Sequence, residues 1–529
     1  MPSFDWNFPY RHPRMPLLAR NVIATSQPLA AQAGLRMLLR GGNAVDAAIA
    51  TAIALTVVEP TMNGIGSDAF ALVWDGKRLR GLNASGRAPL AWTPRRFAGL
   101  TAMPLVGWDA VTVPGAVSAW VALSKEFGRL PFEELCVPAI EYAENGFLVS
   151  PTVARQWQAQ RPRLEQQPGF AHAFLPRGRT PIAGELFRFP DQANTLTEIA
   201  ASRGESFYRG RLAQAMVAFG QEHGAALSLD DLAAHQADWV EPLALAYRGR
   251  VVHEIPPNGQ GIAALIGLGI LERADIRAQS RDSATAMHLQ IEAMKLAFAD
   301  AYHYVADARS MQLDWAQLLE PSYLAARARL IRLDRAQSFQ FGVPAPSGTV
   351  YLAAADASGM MVSYIQSNYM GFGSGVVVPG CGISLQNRGA GFSLVPGHPN
   401  EVDGGKRPFH TIIPGFVTRG GDAVASFGVM GGDMQPQGHL QMMVRLCDYR
   451  QNPQAAVDAP RWRICPDASI MVEPEMPSAT VTALRQLGHD VRVAEPGAIE
   501  FGSAQMIHRL ADGYVAASES RRDGQAVGF

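Results

Sequence analysis

Hydrophobic and polar positions follow two rhythms along this chain, and the change between them falls past the middle. Residues 21–26 form a short apolar run that predicts a strand, and 28–39 predict a helix closed by Arg40-Gly41-Gly42-Asn43. The next run, 44–58 (AVDAAIATAIALTVV), is apolar around Asp46 and Thr51 through about four turns. Such a helix has no face to give to water, so burial on nearly every side is expected. Asp46 in its first turn suits the positive end of the helix dipole, and Glu59-Pro60 ends it. Asn63 to Phe70 form a glycine-bearing turn into a strand at 70–74, followed by a strand at 79–84. Helices are expected from Pro114-Gly115 through Phe127, after Pro131, and over most of 150–250. A strand at 251–255 leaves through Pro256-Pro257-Asn258-Gly259-Gln260-Gly261 into an apolar helix at 262–271. A long helix follows at 286–305. From 307 to 348 the pattern breaks into short helical fragments and then a polar, Pro-bearing loop, the best candidate for a boundary. Beyond it the rhythm is that of strands, at 349–355, 360–366, 382–386, 411–417 and 423–427, with helices at 439–449 and 479–487. Strands and helices on both sides of the boundary predict an α/β (α+β) protein with stacked sheets between helical layers.

Composition narrows the function classes. The 529 residues are 48% hydrophobic and 18% charged, which is globular, with a formal net charge of −1. Nothing in that balance favours nucleic acid or an anionic membrane as partner. Cys136, Cys381, Cys447 and Cys465 lie far apart, without metal-ligand spacing, and read as buried or inert thiols. The first 21 residues are rich in Pro and aromatics and lack an apolar signal core, and no apolar run spans a membrane uninterrupted. A soluble, cytoplasmic protein is the expectation. His288 and Glu292 are four apart on one predicted helix and can share a face. With no third ligand nearby in sequence they read as a structural polar pair, and no metal or cofactor is expected.

Motif chemistry is sparse. No Gly-x-Ser-x-Gly elbow, His-Glu-x-x-His, Walker loop or Cys-x-x-Cys is present, and Gly64-Ile65-Gly66 lacks the third glycine and the helix of a phosphate loop. One stretch is different. At Ser347-Gly348-Thr349 a loop containing Pro, Ser and Gly meets a β-rich run, Val350 to Ala355. Read locally, this is a strand after a surface loop. If the Gly348–Thr349 bond were cut, however, Thr349 would carry a free amine and a hydroxyl, a base and a nucleophile on one residue. An α-amine titrates near pH 8, about two units below lysine, so an appreciable fraction is neutral at pH 7 and accepts the hydroxyl proton.

Strings on both sides of Thr349 give that reading weight. Gly41-Gly42-Asn43-Ala44-Val45-Asp46-Ala47-Ala48, Val58-Glu59-Pro60, Asn63-Gly64-Ile65-Gly66 and Glu292-Ala293-Met294-Lys295-Leu296-Ala297-Phe298-Ala299-Asp300 precede it. Lys406-Arg407-Pro408, Gly431-Gly432, Asp458-Ala459-Pro460-Arg461 and Gly502-Ser503-Ala504-Gln505 follow it. In this order, from about residue 20 to the end, the chain resembles the gamma-glutamyltransferase family of N-terminal nucleophile hydrolases. The resemblance implies an αββα sandwich of two stacked antiparallel sheets. It also implies self-cleavage between Gly348 and Thr349 into a large chain, 1–348, and a small chain, 349–529, that share one core and stay associated, and it leaves a dimer of such heterodimers open. Thr349 falls on the family's processing threonine, Ser367 on its second hydroxyl, here Ser rather than Thr, and Gly431 and Gly432 on its oxyanion pair.

The departures from the family concern substrate. Glutamyl-binding members carry an Arg-Glu pair where this chain has Ser85-Gly86, with Arg87 next. The positions that hold the glutamyl amine correspond to Arg388 and Gly391, and the serine pair after Lys-Arg-Pro is replaced by His410 and Thr411. Tyr369 completes the substrate-binding set that the resemblance implies. Arg388 is a carboxylate-binding fork where an acceptor is usual, which reverses the local preference. The expected substrate is therefore an anionic or acyl amide without the glutamyl ammonium. The turns Asn83-Ala84-Ser85-Gly86-Arg87 and Pro257-Asn258-Gly259-Gln260-Gly261 resemble the branch of oxamate amidohydrolase and cephalosporin-acylase-like proteins, which implies a small anionic amide such as oxamate, suited to a site holding Arg388 or Arg87. Glutaryl or cephalosporin amides and gamma-glutamyl hydrolysis or transfer are the alternatives within the family. An uncleaved, inactive binding protein is the alternative outside it.

Overall fold

The computed structural model describes residues 14–338 and 348–529. The loop residues Gly342 to Ser347 before the proposed cleavage bond lie outside them, whereas Gly348 and Thr349 lie within. Two seven-stranded sheets form the centre. The first runs, in spatial order, Gln525–Gly528, Val22–Thr25, Gly348–Ala355, Met361–Tyr369, Asp68–Trp74, Leu79–Ala84 and Asp238–Val240. The second runs Leu17–Ala19, Tyr514–Ser518, Ser503–Arg509, Asp422–Met430, Gly415–Arg419, Arg250–Glu254 and Leu243–Tyr247. Neighbours in both sheets pair antiparallel.

The period-two alternation of strands sorts the side chains into layers. Along Gly348–Ala355, residues Tyr351, Ala353 and Ala355 pack between the sheets with Phe70, Leu72, Phe416 and Ile507. Val350, Leu352 and Ala354 face the other way, against the helix Ala44–Val58. That helix is buried at all of its positions, as its unbroken apolar run requires. Its start is fixed by a capping box between Asn43 and Asp46. Outside the second sheet lie Gly261–Leu271, Ala284–Tyr304 and Met434–Met443. The order helix, sheet, sheet, helix is the αββα sandwich expected.

Several elements differ from the sequence reading. Within 150–250, two strands, Asp238–Val240 and Leu243–Tyr247, stand where helix was expected. The expected strand at 382–386 is only Ile383–Ser384. The strand expected at 411–417 begins at Gly415, because the backbone before it bonds elsewhere: His410 N–H donates to Asn258 O, and Ile413 N–H to Gln435 Oε1. The helix expected at 439–449 begins at Met434, where Pro436 sits in the first turn and no backbone donor is lost.

One close approach sets the spacing of the sheets. A Cβ built on Gly428 would lie 2.4 Å from the Tyr351 ring, which crosses from the first sheet to the second. Gly428→Ala is expected to cost about 1–3 kcal/mol of stability through overpacking. Thermal or urea unfolding measures it, with a lowered midpoint as the expected result.

Candidate active site

Thr349 is fully buried on the inter-sheet face of a central strand. Its partner strand carries an irregularity here: Gly348 pairs with Tyr369 and Val350 with Gln366, so Ser367 and Asn368 share one place opposite Thr349. Such a bulge re-aims side chains. Thr349 Oγ1 donates to Ser367 Oγ at 3.2 Å, and Ser367 Oγ accepts the Tyr369 N–H at 2.7 Å. Tyr369 holds φ +77°, an uncommon conformation for a residue with a side chain.

The second sheet brings a glycine turn to the same end. Gly431 and Gly432 follow the strand Asp422–Met430 with φ of +122° and +62°, backbone that favours glycine. Gly432 O accepts from Gln435 N at 3.1 Å and from Gln260 Nε2 at 2.8 Å. The Gln435 side chain reaches Thr349, its Nε2 3.4 Å from Oγ1, so one helical turn separates the glycine pair from the threonine. Two residues before that pair, Val429 N–H donates to His439 Nε2 at 3.2 Å, and His439 Nδ1 lies 2.6 Å from Glu254 Oε1. The strand end is held there because the neighbouring strand begins only at Gly415, which pairs with Phe427.

A buried guanidinium contacts Tyr369. Arg388 is 1% exposed, its Nη1 donates to Thr411 Oγ1 at 2.8 Å, and its charge sits 4.9 Å from the centre of the Tyr369 ring. Its Nε and Nη2 have no hydrogen-bond partner among the described residues. Burial pushes its pKa down to about 10 and that of Tyr369 up to about 12. His410 Nε2 lies 3.1 Å from Asp68 Oδ2, and burial holds the imidazole well below its ordinary pKa, so it is neutral. Asp68 also accepts the N–H groups of Gly86 and Gly115, yet burial raises it to about 7. Ser85 Oγ donates to Asn83 Oδ1 at 2.7 Å and meets Asn258 Nδ2 at 3.2 Å.

Thr349, Ser367, Tyr369, Arg388, His410 and Thr411 are thus joined through direct contacts or shared neighbours, and Gly431 and Gly432 adjoin them. Ser85 borders them through Asn258, which also bonds the carbonyl of Pro408. Arg87 lies apart from this group. Its guanidinium is paired with Asp307 at 2.8 Å and lines a separate recess of about 250 Å³ with Arg407, His235 and Asp238. Gly391 is explained by packing, since a Cβ there would meet Phe409 O at 2.5 Å. At Gly86 a Cβ would stand 1.5 Å from Val113 O, so the backbone leaves no room for an acidic side chain.

Sequence reasoning missed Asp68 and Gln435. Asp68 left a signal, a carboxylate opening an otherwise apolar strand, DAFALVW. Gln435 left none. The polar pair His288 and Glu292 does acquire a third group, His489, which sequence distance concealed. The Lys295 ammonium lies 2.8 Å from Glu292 Oε1 and 3.5 Å from His489 Nδ1, a built-in cation among these groups. The cluster holds chain: His288 Nε2 bonds Arg332 O, while Gln337 donates to Glu292 and accepts from Lys295. All four cysteines are free and buried, as expected. Among the described residues no helix is long and apolar enough to cross a membrane.

The sequence profile of gamma-glutamyltranspeptidase matches residues 30–529. The chain belongs to the gamma-glutamyltranspeptidase family. It is similar to the glutathione hydrolase-like YwrD proenzyme of Bacillus subtilis, at 37% identity over 96% of this chain and 98% of that one. It is also 37% identical to the oxamate amidohydrolase proenzyme of Klebsiella pneumoniae, over 95% and 97% of the two chains. A cephalosporin acylase from Bacillus halodurans superposes with a TM-score of 0.94 at 48% identity, covering 100% of this chain and 99% of that one. With that family and fold the protein is an amidohydrolase of the N-terminal nucleophile class.

Proposed function

We propose that the chain cleaves itself between Gly348 and Thr349, and that the released threonine hydrolyses a small amide bearing a carboxylate. The observation that carries this reading is the placement of two buried groups in one connected cluster. One is a threonine hydroxyl at the head of a strand, and the other is a guanidinium with two donors unpartnered among the described residues.

In this reading the neutral α-amine of Thr349 takes the Oγ1 proton as Oγ1 bonds to the amide carbon. The carbonyl electron pair moves onto oxygen, where the N–H groups of Gly431 and Gly432 receive it, and losing one such donor typically costs about 100- to 1000-fold. Collapse expels the amine, which takes the proton from the α-ammonium. Water then opens the ester and returns the enzyme. Ser367 Oγ positions the hydroxyl, and Arg388 forks onto the substrate carboxylate above Tyr369. Oxamate, whose carboxylate adjoins its amide, fits this arrangement, giving oxalate and ammonia.

A second reading, an acylase for glutaryl or cephalosporin amides, is supported by the likeness to the Bacillus halodurans acylase. It uses Arg388 for a more distant carboxylate. Gamma-glutamyl substrates suit the site less, because Ser85-Gly86 supplies neither charge of the Arg-Glu pair. Two measurements test the proposal. Mass and N-terminal sequence of the purified fragments should place Thr349 at the head of the smaller one. A panel of oxamate, a gamma-glutamyl anilide and a glutaryl amide should then show preference for oxamate. Turnover of the anilide alone would reject the anionic-amide reading.

The site also predicts a pH effect. Below about pH 7 Asp68 is protonated and neutral, whereas above it the carboxylate offsets the Arg388 charge and opposes a second anion. KM for an anionic amide is expected to rise as pH increases through 7. Asp68→Asn should flatten that rise, and KM measured from pH 5.5 to 8.5 checks it.

A further inference from the structure

We propose that Gln435 is a catalytic residue that donates a hydrogen bond to the nucleophile oxygen, Thr349 Oγ1, as that oxygen loses its proton. The inference rests on the assignment of Thr349 as nucleophile and adds a group to that site.

The orientation of the carboxamide follows from its partners. Gln435 is fully buried in the first turn of the helix Met434–Met443. One end of its amide faces the backbone N–H of Ile413 at 2.9 Å. A backbone N–H only donates, so the atom facing it is the oxygen, Oε1. The other end is then the nitrogen, 3.4 Å from Thr349 Oγ1, and an amide NH2 only donates. Thr349 Oγ1 consequently accepts from Gln435 and turns its own hydrogen toward Ser367 Oγ. At 3.4 Å the contact is long, as catalytic hydrogen bonds often are before substrate is bound.

Donation to an oxygen favours its deprotonated form. In turnover the proton of Oγ1 passes to the α-amine of Thr349 as the Oγ1–carbon bond forms. In self-cleavage Oγ1 attacks the Gly348 carbonyl, the C–N bond breaks with the proton passing to the Thr349 nitrogen, and water then opens the ester. In neither step does Gln435 gain or lose a proton. Its share is to lower the cost of charge on Oγ1 on the side away from Ser367. Gln435 is held for this at both ends. Its N–H bonds Gly432 O, within the candidate oxyanion turn, and its Oε1 holds Ile413, two residues from the Thr411 hydroxyl that receives Arg388. One residue therefore links the nucleophile and the segment before Gly415 through its side chain, and the oxyanion turn through its backbone N–H.

The same oxygen attacks in self-cleavage and in turnover, so both steps should depend on Gln435. In Gln435→Met, close in volume but without the donor, the cleavage rate and kcat are expected to fall together by roughly 10- to 100-fold. That is less than for a lost oxyanion donor, because the contact is long. KM should stay within about threefold. Gln435→Glu keeps the acceptor for Ile413 N–H but faces Oγ1 with a carboxylate, which donates only when protonated. The ratio of its kcat to that of the unmodified enzyme should therefore rise as pH falls from 8 to 5, a response that a merely structural role does not produce. Wild-type cleavage and kcat in Gln435→Met, or a loss confined to KM, overturns the proposal. If Gln435→Met does not fold, a flat pH ratio in Gln435→Glu overturns it. Thr349→Ala, run alongside, separates the two assignments: inert, it leaves the nucleophile standing whatever Gln435 does, and active, it removes the nucleophile itself.

Discussion

Thr349→Ala is expected to remain a single 529-residue chain and to hydrolyse no amide above background. The substitution removes the one hydroxyl that heads a central strand against Ser367, so both the attack on the Gly348 carbonyl and the later attack on substrate lose their nucleophile. Deleting a nucleophile from a serine hydrolase costs about a million-fold in kcat, and a comparable loss is expected here. The fold should survive. Alanine fits the space, the helix-facing residues of the strand are untouched, and Ser367 Oγ keeps the Tyr369 N–H, but Gln435 Nε2 loses its acceptor, so about 1–3 kcal/mol is lost. Gel and mass analysis beside a thermal melt would therefore give an uncut, inactive, folded protein with a modestly lowered midpoint. A cut Thr349→Ala chain would show that the bond is broken by another residue.

Arg388→Gln is expected to pull function and stability in opposite directions. The native guanidinium is buried with two donors unpartnered among the described residues, an arrangement that costs folding free energy and that the proposed substrate carboxylate would offset. Removing one partner of such a buried charge pair typically costs about 2–5 kcal/mol of binding. The expected fall in kcat/KM for an anionic amide is thus about 30-fold or more, carried mainly by KM. Below about pH 7, where Asp68 is neutral, the melting temperature should hold or rise, since glutamine keeps a donor for Thr411 and discards a buried charge. Kinetics on oxamate and on an uncharged amide distinguish the cases. Equal losses on both would mean that Arg388 supports the backbone rather than the substrate.

What the sequence made legible followed from strong local patterns. The helix Ala44–Val58 and the strand opening at Gly348 came out within a residue, because an unbroken apolar run and a β-rich run each admit one buried solution. The weaker strands were lost. Ser503–Arg509, Tyr514–Ser518 and Gln525–Gly528 are short or mixed in polarity, and are strands because neighbours from distant sequence offer them a ladder. The site divided along the same line. Arg388, His410 and Thr411 were visible as departures at family positions and do lie together. Arg87 was placed by adjacency in sequence, and an ion pair with Asp307 holds it elsewhere. Gln435 meets Thr349 across 86 residues of chain, and neither spacing nor composition encodes that contact.

The interleaving of the sheets has a consequence for the life of the molecule. In the first sheet the strand headed by Thr349 lies beside Val22–Thr25, which is itself edged by the C-terminal Gln525–Gly528, and the second sheet mixes strands from both sides of the 348–349 bond in the same way. In the uncut chain all of these strands find one another along a single covalent chain. With the proposed cut made, neither product would carry a complete sheet, and unfolding would turn an intramolecular search into an encounter between two fragments. Self-cleavage would then spend the folding information of the polypeptide once, leaving an enzyme whose shape persists because it is slow to come apart rather than because it is easily remade.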